Sequence, residues 1–253
     1  MSVRTPALVG ISHGTSSEEG RQAVRGLRDA VSEAVARRHP DAPPSVRLGH
    51  VDVEQPDVPA TLASLEPGEP AVVVPLLLSG GYHVHVDLAE AIEATTDRPV
   101  VLAGALGPDD RLATLLLRRL VESGLHGDDR IVLAVAGSSD VRAVDDCRDM
   151  AARLSAASGR DVTAGFLSAA EPTLPDAVAA ARAAVGGAAE PGAASARVIL
   201  ANYLLAPGYF DDLARAAGAD VVARPLLVAD EPAPVELVDI VLDRYAAASA
   251  GLR

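Results

Sequence analysis

Short apolar runs alternate along the chain with longer amphipathic stretches. Ala7 to Ile11 (ALVGI) is the first such run and predicts a buried strand. Val24, Leu27, Val31 and Val35 then recur at helical spacing, with Pro40 beyond the end. Ser16, followed by Glu19, has the form of a capping box at the start of that helix. Val46 to Val53 predicts a second strand and Asp57 to Leu65 a short helix. Ala71 to Leu78 (AVVVPLLL) is too continuous for an amphipathic face, so it predicts a strand covered on both sides. Val86 to Thr95 predicts a short helix, Val100 to Ala103 a fourth strand, and Asp109 to Ser123 a helix closed by Gly124. Strand and helix alternate four times, the pattern of an open, mostly parallel sheet with helices on both faces.

The pattern then restarts. Ile131 to Val135, Val162 to Leu167, Arg197 to Leu205 and Val221 to Ala223 predict strands. Val144 to Ala157 and Leu237 to Ala248 predict helices, and Gly186 to Ala196 a surface loop. Three segments repeat in the same order. SHGTS at Ser12–Ser16 matches VAGSS at Val135–Ser139. QPDVPA at Gln55–Ala60 matches EPTLPD at Glu171–Asp176. LLSGGYH, ending at His83, matches LLAPGYF, ending at Phe210. Ordered matches within a repeated β/α pattern predict a duplication. The fold class is therefore α/β, with two similar domains, each a roughly four-stranded sheet. We place the boundary in the turn Gly124–Asp129, giving domains 1–125 and 126–253.

Composition narrows the function. The chain has 253 residues and a net charge of −13. That charge argues against a nucleic-acid partner and against docking on an anionic membrane. With two Phe, four Tyr and no Trp, the core must be built from Ala, Val and Leu. Cys147 is the single cysteine, so an intrachain disulfide and a four-thiolate metal site are both excluded. No long apolar stretch marks a signal peptide or a membrane helix, which predicts a cytoplasmic protein.

In open parallel sheets ligands bind at the carboxyl ends of the strands, where strand order reverses. His13 directly follows the first strand and His83 lies past the third, after Gly80-Gly81. Asp52 falls at the carboxyl end of the second. With strand order 2-1-3-4, His13 and His83 face one crevice. Two imidazoles and a carboxylate suit first-row divalent metals, and a neutral imidazole can also accept a proton. Gly14, Gly80 and Gly81 leave room for a bulky ligand. The second-half counterparts of His13, Asp52 and His83 are Ala136, Ser168 and Phe210, as expected for one live site and one degenerate copy. His85 is a further candidate at the same crevice. His50 alternates with Asp52, so both are placed on one face of strand two. His39 reads as a helix C-terminal cation, and Asp87 as the residue opening the next helix.

SHGTS, HVDVEQPDVP and VVVPLLLSGGYHVHVDLAEAI together resemble the class II chelatases, the sirohydrochlorin ferrochelatases and cobaltochelatases, in their two-lobed form. The resemblance implies a chelatase-like duplicated fold and insertion of Fe²⁺ or Co²⁺, with Ni²⁺ a third candidate, into sirohydrochlorin. The product would serve siroheme or cobalamin-type synthesis. Metal binding and macrocycle deprotonation would fall on His13 and His83. Asp52 stands where many members have Glu. No organic cofactor is implied; the metal is a substrate. The partner is a tetrapyrrole, which the amides of Thr15 and Ser16 at a helix start, with Ser17, would meet through its carboxylates. The second lobe would wall the cleft, so a monomer or weak homo-oligomer suffices. A metallochaperone using the same histidines is the alternative. A histidine phosphatase is disfavoured because Ser12, not Arg, precedes His13.

Overall fold

The structure is a computed structural model that describes residues 5–81, 88–186 and 197–252. The strands are β1 (Ala7–Ser12), β2 (Val46–His50), β3 (Ala71–Pro75), β4 (Val100–Leu102), β5 (Arg130–Val135), β6 (Val162–Phe166), β7 (Val198–Tyr203) and β8 (Val221–Val222). They form two four-stranded sheets, ordered β2-β1-β3-β4 and β6-β5-β7-β8. Every pairing is parallel. The predicted α/β duplication and the 2-1-3-4 order are therefore both present.

The helices are α1 (Glu18–Arg38), α2 (Val58–Ala63), α3 (Leu88–Glu93), α4 (Asp110–Glu122), α5 (Val141–Ser158), α6 (Leu174–Gly186), α7 (Tyr209–Arg215) and α8 (Val235–Ser249). The four apolar positions predicted for α1, Val24, Leu27, Val31 and Val35, are all buried. Ala71–Val74 of β3 are fully buried, because helices cover both faces of that strand. On one face, Val9, Ile11 and Val73 pack with Val58 and Leu62 of α2 and Leu88 of α3. On β3 the other face is met by α8.

The helix α1 starts one residue later than the capping box suggests. Ser17 is the N-cap, its Oγ accepting from Gly20 N at 3.2 Å. Ser16 is held before the helix because Ser17 N already donates to Thr15 Oγ1 at 3.1 Å. The strand β2 ends at His50 rather than Val53, because the chain bends sharply over residues 51–56. Asp52 thus lies in that bend, beyond the strand. The strand β3 closes at Pro75, three residues before the end of its apolar run.

Packing divides the chain differently from the repeat. One compact unit is Met1–Gly107 with Ala229–Arg253, and the other is Pro108–Val228. The closing helix of each repeat packs in the other unit. In the first unit α8 packs on α1 and β3. Tyr245 OH donates to Pro6 O at 2.6 Å and Arg244 Nε to Ala105 O at 2.8 Å. In the second unit α4 packs on α5 and β7. Its buried Arg119 donates to Leu226 O, and Glu122 pairs with Arg224 at 3.0 Å. No helix among the described residues is long and apolar enough to cross a membrane.

Candidate metal centre

The site begins where β1 and β2 end. Pairing continues past the strands: Val51 N donates to Ser12 O at 2.9 Å and Asp52 N to His13 O at 3.0 Å. This last bond ties the backbones of His13 and Asp52 together at the carboxyl ends of β1 and β2, and β1 itself flanks the switch point between β1 and β3. Both residues are exposed. Gly14 follows at φ 95°, where a Cβ would lie 2.0 Å from Asp52 O. Only glycine fits that approach.

The Asp52 loop then makes a γ-turn. Glu54 N donates to Asp52 O at 2.7 Å across Val53, which sits at φ 65°. Asp52 Oδ1 accepts from Val53 N at 2.7 Å. A β-branched residue at positive φ is strained. It is tolerated here because the bonds from Asp52 N to His13 O and from Glu54 N to Asp52 O fix the loop on both sides. The Gln55–Pro56 peptide that follows is cis.

Behind the loop lies a polar cluster. His50, 6% exposed, shares a hydrogen bond of 2.8 Å between Nδ1 and Ser12 Oγ. The Glu54 carboxylate accepts from Thr15 N at 2.8 Å and meets Arg21 Nε at 3.3 Å. Arg21 Nε also donates to Thr15 O at 3.0 Å. His50 Nδ1 is 3.7 Å from Glu54 Oε1. Burial holds the His50 pKa below its ordinary value; Glu54 opposes that shift, and Arg21 and Arg25 add to it. His50 is therefore neutral at neutral pH, and its approach to Glu54 is a dipolar contact, not an ion pair. His50 points inward while Asp52 is exposed, so the predicted shared face does not form: the strand ends between them.

The second unit repeats the backbone of this region and discards its chemistry. Gly137, at φ 89°, approaches Ser168 O as Gly14 approaches Asp52 O. Ala169 has φ 55° where Val53 has 65°, and Glu171–Pro172 is also cis. Val135 pairs with Phe166 as Ser12 pairs with His50. Ala136 and Ser168 stand for His13 and Asp52, and Ser168 Oγ donates to Ala136 O at 2.9 Å. Ala170 stands for Glu54 and Val144 for Arg21. Phe210, the counterpart of His83, packs edge-to-face on exposed Tyr209 with ring centroids 5.6 Å apart.

The structure thus brings together His13, Gly14, Thr15 and Asp52. Gly80 and Gly81 follow β3, whereas His83 and His85 lie outside the described residues. Among the described residues no three His, Cys, Asp or Glu side chains gather as a metal site. The amides of Thr15 and Ser17 are engaged by Glu54 and Thr15 Oγ1 rather than open toward a ligand. Sequence reasoning missed Glu54 and Arg21, noted Ser12 only as the residue before His13, and placed His50 on the strand beside Asp52 without its bond to Ser12. A residue-by-residue reading of the two halves carries the signal, since each has an apolar counterpart.

A duplicated, doubly wound α/β protein, with His13 and Asp52 adjoining at the strand ends of one unit and Ala136 and Ser168 at the same places in the other, is the class that fold and site define. The CbiX family profile matches residues 7–123 and 130–219, and the chain belongs to that family. No curated protein matches the sequence. Among solved structures, SirB from Bacillus subtilis with Fe³⁺ superposes with a TM-score of 0.73 at 17% identity, covering 98% of this chain and 97% of that one. The cobalt complex of the sirohydrochlorin chelatase SirB from Bacillus subtilis subspecies spizizenii gives 0.69 at 14% identity, covering 98% and 96%. CbiX, the terminal enzyme for siroheme biosynthesis in denitrifying bacteria, gives 0.59 at 19% identity, covering 94% and 98%. These likenesses establish the shared duplicated fold.

Proposed function

We propose that this protein inserts a divalent metal, Fe²⁺ or Co²⁺ with Ni²⁺ a further candidate, into sirohydrochlorin. The observation that carries this reading is the tie between His13 and Asp52 at the carboxyl ends of β1 and β2, in a unit whose copy has Ala136 and Ser168 there. Family membership and the titles of the SirB and CbiX structures support it. In this reading repeat 1–125 carries the metal site and repeat 126–253 is a degenerate copy lacking it.

The metal and the macrocycle are both substrates. His13, with His83 contributed from beyond β3, presents M²⁺ to the ring nitrogens through imidazole nitrogen. Two pyrrole N–H protons must leave as one M²⁺ enters, which keeps the charge balanced. Asp52, adjoining His13 and open to solvent, accepts a proton and passes it to water. In this reading Gly80 and Gly81 leave room for the macrocycle, and His85 is a further proton carrier.

An anaerobic assay tests the reading. Protein, sirohydrochlorin and Fe²⁺ or Co²⁺ are mixed and the visible spectrum is followed against the uncatalysed rate. Acceleration that His13→Ala removes supports insertion. Tight metal binding with no acceleration would instead favour a metallochaperone.

A further inference from the structure

We propose that Glu54 and Arg21, backed by the Ser12–His50 pair, are positioning residues that hold the His13 loop for metal binding. The inference rests on the reading of His13 as a metal ligand.

Three observations converge on it. First, Thr15, two residues after His13, is gripped at both ends of its backbone. Its N–H donates to Glu54 Oε1 at 2.8 Å and its C=O accepts from Arg21 Nε at 3.0 Å. Arg21 lies on α1 and Glu54 in the Asp52 loop, so the grip joins three chain segments. Second, Ser12 immediately precedes His13, and its Oγ is held by buried His50 at 2.8 Å. The loop carrying His13 is therefore fixed on both sides by side chains as well as by the His13 O to Asp52 N bond. Third, the second unit makes the same turn with Val135, Phe166, Ala170 and Val144 at these places, and Val135, Phe166 and Val144 are buried. Apolar packing is thus sufficient for the fold of the loop. The polar cluster is not needed to make the turn, and it occurs in the unit that has His13.

Burying the Glu54 carboxylate and the His50 imidazole, with Arg21 half-buried beside them, has a desolvation cost that an apolar cluster avoids. What the polar cluster adds is directional restraint. Hydrogen bonds fix the rotation of a backbone segment more sharply than apolar contact does, and a metal ligand must keep its nitrogen aimed.

The test uses Co²⁺ alone as probe, titrated into the full chain by calorimetry, together with insertion kinetics. The triple variant Ser12→Val, His50→Phe, Glu54→Ala places the second unit's side chains in the first. Glu54→Ala removes the grip on Thr15 N, and Glu54→Gln keeps an acceptor there. We expect the triple variant and Glu54→Ala to weaken Co²⁺ binding about 10- to 100-fold, the usual effect of removing a residue that orients a ligand. Glu54→Gln should restore most of it. The KM for Co²⁺ should rise while the KM for sirohydrochlorin stays within about twofold, a split that general loss of structure would not give. If wild type binds Co²⁺ and Glu54→Ala binds it equally well, the positioning role is overturned and the metal site stands. If wild type binds no Co²⁺, the metal site itself falls and this inference with it.

Discussion

At the carboxyl end of the first strand in each unit, the two halves differ in side chains far more than in backbone. Ser12, His50, Glu54 and Arg21 stand where the other half has Val135, Phe166, Ala170 and Val144. Yet both halves keep the positive-φ glycine, the positive-φ residue three places before the proline, and the cis proline. The turn is therefore a property of the scaffold, and the polar groups are an addition to one copy. The contrast separates residues that make the loop from residues that use it.

The largest effect that sharpens the contrast is expected at His13. His13→Ala should lower the rate of metal insertion at least about 100-fold, because a lost ligand costs more than a lost supporting residue. Ser168→Ala, at the place in the copy that corresponds to Asp52, should leave the rate within about twofold. Initial rates with Co²⁺ measure both.

Gly14→Ala and Gly137→Ala should each destabilise the protein by about 2 to 4 kcal/mol, since either Cβ meets a backbone oxygen at about 2 Å. Denaturant unfolding followed by circular dichroism checks this. Only Gly14→Ala should also raise the Co²⁺ KM. Equal effects on KM would break the distinction between the two units.

The units also differ at the opposite end of their sheets. Asp129 and Arg197 pair at 2.8 Å before β5 and β7, where the first unit has Pro6 and Pro70. Burial raises the Asp129 pKa, but hydrogen bonds from Arg197 and from the His126 and Arg197 amides outweigh it, so the net shift is downward. A depressed carboxyl pKa gives stability that is complete above the ordinary value near 4 and lost as pH falls through the folded value. The second unit should therefore weaken first in acid. Asp129→Asn should cost about 1 to 2 kcal/mol at neutral pH and flatten that acid limb. Unfolding curves between about pH 7 and 3 test it; an unchanged acid limb would contradict it.

The smallest effect is expected at Val53. Val53→Gly relieves the positive φ but gives the unfolded chain more freedom, so a net gain of about 0.5 to 1 kcal/mol is expected. Ala169→Gly should gain less, because Ala carries no branched Cβ.

The sheets and α1 were legible in the sequence because apolar runs and helical spacing report burial directly. The parallel pairing followed from the alternation of strand and helix, whereas the 2-1-3-4 order entered as the common arrangement for such sheets. The exchange of α4 and α8 was not legible. Periodicity says which face of a helix is buried, not which sheet buries it. The helix α6 escaped because nearly half of LPDAVAAARAAVG is Ala, which marks no face. The places of His13 and Asp52 after β1 and β2 were legible, although β2 stops at His50, three residues before the end of the predicted strand, where the chain turns. The Glu54 grip was hidden, since it joins residues 39 positions apart through a backbone amide that no motif records.

The central claim is that one unit alone carries the metal-inserting chemistry, centred on His13. The most direct test is the rate of Co²⁺ insertion into sirohydrochlorin by wild type and His13→Ala, followed by the visible spectrum under anaerobic conditions. The account predicts clear acceleration by wild type and a fall of at least about 100-fold in the variant. Equal rates for the two proteins would contradict it.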